Sequence, residues 1–204
     1  SVMTKVEQTL YIPLVSRAWV SEAVPEIISD PDALRICKEL GITLRVPRKT
    51  QVLLSLRAAL IDRLAAAHLG KHPNTRVLQV GCGLDSRYRR ISGYSHWYDL
   101  DFRETMELRS RFYPDQDGYT PIAGSLTDSA WSEQLKSGTP LLVIAEGVLV
   151  YLSENEVKGF FLLLQDRYPG SIIMGDVFST RCAAMVHRHT SLARTGAGVH
   201  WGID

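Results

Sequence analysis

Cysteine is scarce in this chain, with three among 204 residues. Cys37, Cys82 and Cys182 stand far apart with no C-x-x-C pair, which argues against a disulfide framework or a zinc ribbon and implies reduced thiols with no bound metal. Long apolar runs are missing too. None approaches the roughly 20 residues that cross a bilayer, and Ser1 to Leu14 lack the charged-then-apolar order of a signal peptide. Together these absences imply a soluble, cytoplasmic chain with no membrane partner. Neither sign of charge dominates: Lys+Arg number 23 against 22 Asp+Glu, and the basic residues are scattered. No electrostatic footprint for nucleic acid results. A small-molecule or protein partner is left, and no feature fixes an oligomeric state.

What is present is an ordinary globular composition, 45% hydrophobic and 22% charged, enough to bury one core in a single domain over residues 1–204. Residues 1–72 read as a helical region. One helix is expected from about Ser16 to Ile28, and a second begins at Asp30-Pro31, an N-cap followed by proline, and stops at Gly41. A third runs from Thr50 to Leu69, with Val52, Leu53, Leu56, Leu60, Leu64 and Ala67 at helical spacing and Gly70 as its stop. Residues 73–204 alternate between strands and helices. Apolar runs at Val77–Val80, His96–Leu100, Tyr119–Ala123, Leu141–Ala145 and Ser171–Gly175 lack polar alternation, as strands covered on both faces do. Before the last of them, Ser153 and Glu156 fit a capping box, with Val157, Phe160, Phe161 and Leu164 along one helix face. The fold class is therefore α/β: a Rossmann-like, mostly parallel sheet with helices on both faces and an N-terminal helical cap.

The first strand runs straight into Gly81-Cys82-Gly83. Glycines suit a sharp turn that a ligand must approach closely. Two acids, Asp99 and Asp101, follow about 20 positions on at the end of the second strand, where a carboxylate can accept from both hydroxyls of a ribose. They are two apart and share a face, so pattern alone leaves both as candidates. Ser86 stands where a dinucleotide fingerprint has its third glycine, which favours a nucleoside cofactor without a pyrophosphate.

Val80-Gly81-Cys82-Gly83-Leu84-Asp85-Ser86-Arg87 resembles the Gly-x-Gly-Leu-Asp-Thr-Arg signature of the leucine carboxyl methyltransferase family, with serine for threonine. Further segments match in the same order. Tyr98-Asp99-Leu100-Asp101 is similar to its acidic second-strand motif. Ser125-Leu126-Thr127-Asp128 with Trp131 is similar to its Asp-Leu-x-x-x-Trp segment, and Glu146-Gly147-Val148-Leu149-Val150-Tyr151-Leu152 to its Glu-Gly-Leu-x-x-Tyr-Leu motif. The opening Thr9-Leu10-Tyr11-Ile12-Pro13-Leu14, with Arg17-Ala18, resembles the polyketide O-methyltransferase branch. Gln79 and Ser125 depart from the pattern, each standing where an acid is usual. Family members continue beyond the position of Asp204 into further helix and sheet, so the resemblance implies that C-terminal strands are missing here.

The resemblance implies S-adenosylmethionine as cofactor and a methyl group passed to an oxygen of a small molecule. It implies that Arg57, or else Arg17, pairs with the cofactor's carboxylate, a task suited to a planar guanidinium. Gly81 and Gly83 would pass beneath the methionine moiety, and Asp101, with Asp99 as alternate, would hold the ribose. Ser125 and Leu126 would meet the adenine. Glu146, delivered to the carboxyl edge of the sheet, would accept from the α-ammonium. No catalytic residue is evident. Tyr151 and His187, the latter beside Arg188 and His189, are weak candidates for a group acting on the acceptor. A carboxylate acceptor is already ionised at neutral pH and needs no base, whereas a phenol with a pKa of about 10 would gain from one. Three other readings stay open: a methyltransferase acting on a protein C-terminal carboxylate, a non-catalytic binding module, and an NAD(P)-dependent oxidoreductase. The last lacks a Tyr-x-x-x-Lys pair.

Overall fold

The structure, a computed structural model, describes residues 4–176. These residues form two compact units. Residues up to Leu64 join Gly83–Ser92 in the first, while Ala65–Cys82 joins the chain from Gly93 onward in the second. The division differs from a single cut near residue 72, because the segment after the glycine turn belongs with the N-terminal helices.

In the first unit, α1 spans Lys5–Ala23, starting well before the expected Ser16. Its start is set by a capping box, in which Thr4 Oγ1 accepts from Glu7 N and Glu7 Oε2 accepts from Thr4 N. Pro13 sits inside this helix. An interior proline removes one backbone bond and costs about 3 kcal/mol. Leu14, Ala18 and Val20 are buried just past it, and that packing outweighs the local break that the sequence signals. The helix ends at Ala23 rather than near Ile28. α2 covers Pro31–Leu40 between the Asp30 cap and Gly41, whose φ of 61° supplies the left-handed stop. α3 runs over Arg48–Lys71, through Gly70 instead of ending at it, and its residues from Ala65 on belong to the second unit. Its buried positions include Ser55, Ala58, Ile61, Ala65 and Leu69, whereas Leu53 and Leu56 are exposed. The inward stripe thus includes small residues, Ser55, Ala58 and Ala65, and runs along a different face from the expected leucines. Ala58 packs with Val20 and Ile28, and Ser55 Oγ donates to Ser16 O. A short α4, Arg87–Arg90, completes this unit.

The second unit is built on five parallel strands: β1 (Arg76–Val80), β2 (His96–Asp101), β3 (Tyr119–Ala123), β4 (Leu141–Ala145) and β5 (Ile172–Gly175). Their order is β3-β2-β1-β4-β5, the start of a doubly wound sheet. Pleating divides the side chains between two faces. Leu78, Val80, Leu100, Ile122, Val143 and Ala145 face one core with Trp131 and with Val157, Phe160, Phe161 and Leu164 of α6 (Glu154–Arg167). The α6 cap is the expected Ser153–Glu156 box. On the opposite face, Arg109 of α5 (Arg103–Ser110) reaches Asp99, so helices cover both sides of the sheet. No helix among the described residues is long and apolar enough to cross a membrane.

Candidate cofactor site

In the second unit, β1 lies between β2 and β4, and the chain moves outward in both directions from it. Such a reversal of strand order opens a crevice at the carboxyl edge, where ligands of doubly wound sheets bind. The register brings Val80 level with Leu100 on one side and Ala145 on the other, and Asp101 level with Ala123. The residues just past these points are Gly81, Asp101 and Glu146, at the tips of three adjacent strands. With strands about 4.8 Å apart, the two acids flank the glycine turn at a backbone separation of about 10 Å.

The turn itself is pinned to β2. Gly81 N donates to Leu100 O at 2.7 Å and Cys82 N to the same carbonyl at 3.3 Å. Gly81 has φ 62°, and a Cβ there would overlap Val148 Cγ2. The sequence suggests glycine here for close approach of a ligand. The structure adds that a side chain of the Glu146-Gly147-Val148 segment occupies the Cβ direction. Gly83, which belongs to the helical unit, has φ 52°, and a Cβ on it would come 3.2 Å from Leu10 Cδ1.

The two acids that pattern could not separate differ sharply in environment. Asp99 is 1% exposed. Its Oδ2 accepts from Arg109 Nη2 at 2.6 Å and from the Tyr119 hydroxyl at 2.8 Å, and its Oδ1 accepts from Trp97 Nε1 at 2.9 Å. Arg109 is buried as deeply and also donates through Nε to Tyr119 Oη. Burial alone would lower the guanidinium pKa, but the charge of Asp99 more than reverses this and holds it well above its ordinary value. Burial, and then the Asp99 charge, push the Tyr119 phenol well upward, so it remains a proton donor. This is a closed core network. Asp101, in contrast, is half-buried at the strand tip, where Oδ1 accepts from Phe102 N at 2.7 Å.

Past β3, Ser125 and Leu126 are both half-buried. Ser125 Oγ shares a hydrogen bond with Thr127 Oγ1 at 2.8 Å, and Leu126 packs against the sheet core. Past β4, Glu146 is half-buried, and the next amide, Gly147 N, donates to Asp176 Oδ1. Tyr151, the weak candidate for a group acting on the acceptor, is 67% exposed.

Arg57 and Arg17 belong to the helical unit. Arg57 is half-buried on α3. Arg17 is no surface arginine: it is 5% exposed and paired with Asp30 at 3.0 Å and Asp85 at 3.7 Å. His187, Arg188, His189 and Cys182 lie outside the described residues. Neither Cys37 nor Cys82 is in a disulfide, and the described residues hold no group of His, Cys, Asp and Glu suited to a metal.

Sequence reasoning missed the role of Asp85-Ser86-Arg87. Arg87 is fully buried and meets Asp62 at 2.6 Å and Asp85 at 3.0 Å. Arg90 meets Asp62, Asp85 and Asp30, and Ser86 Oγ donates to Asp30 Oδ1 at 2.7 Å. Asp30 meanwhile caps α2 through Ala33 N. Burial lowers the Arg90 pKa, yet the three surrounding aspartates carry it well above its ordinary value. The signature is thus in large part an ion cluster that fixes the helical unit. Three arginines, Arg87, Arg89 and Arg90, within four positions of an Asp-Ser pair were the available signal.

A doubly wound sheet with a glycine turn at its reversal point and acids on both neighbouring strand tips defines a nucleoside-cofactor protein. Comparison with known proteins gives the rest. The leucine carboxyl methyltransferase family model matches residues 12–164. The chain is 31% identical over 206 residues to the tetracenomycin polyketide synthesis O-methyltransferase TcmP of Streptomyces glaucescens, covering 98% of this chain and 76% of that one. It is 23% identical to the S-adenosyl-L-methionine-dependent methyltransferase dpfgK of Gibberella zeae, covering 86% of this chain and 65% of that one. Magnesium protoporphyrin IX methyltransferase from Synechocystis PCC 6803, solved with bound S-adenosylhomocysteine, aligns with TM-score 0.46 and 15% identity over 80% of this chain and 75% of that one. The chain belongs to the leucine carboxyl methyltransferase family. It is accordingly an S-adenosylmethionine-dependent methyltransferase, and the oxidoreductase and non-catalytic readings fall away.

Proposed function

We propose that the protein is a cytoplasmic O-methyltransferase, one domain over residues 1–204, that methylates a carboxylate or hydroxyl of a small polyketide-like molecule. The observation that carries the site assignment is the placement of Asp101 and Glu146 on the strand tips either side of Gly81, while Asp99 is enclosed by Arg109, Trp97 and Tyr119. In this reading Asp101 accepts from the ribose hydroxyls and Glu146 from the α-ammonium. Gly81 and Gly83 pass beneath the methionine chain, Ser125 and Leu126 border the adenine, and Arg57 takes the carboxylate. The donor set fits the group, because carboxylates meet its hydroxyl and ammonium donors and a guanidinium meets its carboxylate.

S-adenosylmethionine supplies an electrophilic methyl group on a sulfonium. The protein's part is to align the acceptor oxygen and exclude water. A carboxylate acceptor needs no proton removed, in keeping with the exposed position of Tyr151. The O-methyl chemistry and the small acceptor are favoured by the TcmP likeness. The even charge balance favours neither a nucleic acid nor an anionic membrane as partner. The test is incubation of the protein with cell extract and isotope-labelled methyl donor, followed by mass spectrometry. Label on an ester or ether oxygen of a small molecule is expected. Label on nitrogen, on nucleic acid or on a protein C-terminus would overturn the acceptor assignment.

A further inference from the structure

Within the helical unit, α1, α2, the connection at residues 42–47 and the start of α3 enclose an open cleft of ≈ 660 Å³. This lies within the range of about 300–1,000 Å³ that small-molecule sites occupy. Its walls are apolar, from Leu34, Leu44 and the half-buried ring of Trp19. Two arginines, Arg45 and Arg48, are exposed at the cleft, and Arg48 lies over the Trp19 ring at 5.4 Å. Neither has a carboxylate partner among the described residues. Glu22 also lines the cleft, leaving one positive charge in excess. Cys37 adds no negative charge, since burial pushes its thiol up to about 11.

The lining also carries a hydrogen-bonding side chain. Gln51 lines the same cleft and is 7% exposed. A side-chain amide there can donate to a ligand oxygen. We propose that this cleft binds an apolar, ring-bearing organic anion. Its rings lie against Trp19 and Leu44, its anionic group is met by Arg45 and Arg48, and an oxygen accepts from the Gln51 amide. The proposal does not rest on the cofactor assignment.

The probe is 2-naphthoate, with neutral 2-naphthamide as its control, titrated calorimetrically into the full chain. The structure predicts one-to-one binding of 2-naphthoate, and binding of 2-naphthamide weaker by about tenfold or more, the loss of one charge-assisted contact. The double variant R45Q/R48Q, altered at two exposed positions, should bind 2-naphthoate about tenfold or more weakly while its melting temperature and S-adenosylhomocysteine affinity stay as in the wild type. Gln51→Leu should weaken both naphthyl probes. Absence of 2-naphthoate binding, or equal binding by wild type and R45Q/R48Q, would overturn the proposal. Neither outcome would touch the cofactor site.

Discussion

Replacing Asp99 and Asp101 one at a time by asparagine separates a core acid from a site acid, although the two stand on one face of one strand. In Asp99→Asn the shape is kept, and the new amide oxygen can still accept from Tyr119 or Trp97. The charge is lost, however, and Arg109, 1% exposed and 2.6 Å away, is left buried without its counter-ion. Breaking one side of a buried pair costs about 3–5 kcal/mol, a large share of the roughly 5–15 kcal/mol that holds a domain folded. With a urea m-value of about 2 kcal/mol/M, the unfolding midpoint should fall by about 2 M. Asp101→Asn changes a half-buried tip residue, so stability should move by less than about 1 kcal/mol. Its S-adenosylhomocysteine affinity should drop about 10- to 100-fold, since one charge-assisted hydrogen bond contributes about 1.5–3 kcal/mol. Urea unfolding by circular dichroism and calorimetric titration read the two quantities separately. The reasoning is refuted if Asp99→Asn unfolds like the wild type and loses the ligand, or if Asp101→Asn binds unchanged.

Three further outcomes are expected. Gly81→Ala must accept φ 62° and overlap Val148, so it should lose about 2 kcal/mol or more. Val148→Ala in the same chain should restore the steric part alone, as thermal melts would show. Arg87→Met removes a fully buried cation from between Asp62 and Asp85. Because Arg90 still meets both acids, the loss should sit near about 3 kcal/mol rather than 5, with S-adenosylhomocysteine affinity of the folded fraction unchanged. Burial, and then the charge of Arg76, lower the His96 pKa. The unfolded chain therefore binds more protons below about pH 6.5, and this contribution, present above that value, is lost as pH falls toward the folded pKa. His68 is lowered in the same direction. His96→Gln should flatten the decline in melting temperature between about pH 7.5 and 5.5.

The parallel sheet was legible because the strands are short, mostly apolar runs, which suit positions covered on both faces. Strand limits matched to within a residue, though β2 reaches Asp101 rather than stopping at Leu100, and that residue is the acid proposed to hold the ribose. Helix limits were less legible where tertiary packing overrides a local signal. α1 passes through Pro13, and α3 passes through Gly70. The inward face of α3 mixes Ser55, Ala58 and Ala65 with Ile61 and Leu69 while Leu53 and Leu56 face outward, an arrangement that periodicity of large apolar residues cannot reveal. For the site, the glycine turn and the strand-end acids were visible as types and spacings. The choice between Asp99 and Asp101 was not, since it depends on Arg109 and Tyr119, ten and twenty residues away in sequence.

The central claim is that the nucleoside of the methyl donor is held at the reversal point of the sheet by the acid on the tip of β2. Determining the structure of the protein with bound S-adenosylhomocysteine tests it most directly. The ribose hydroxyls should lie within about 3.2 Å of the Asp101 carboxylate, with the adenine beside Leu126 and the ammonium toward Glu146. A ribose held by Asp99, or a ligand bound away from the Gly81 turn, would contradict the account.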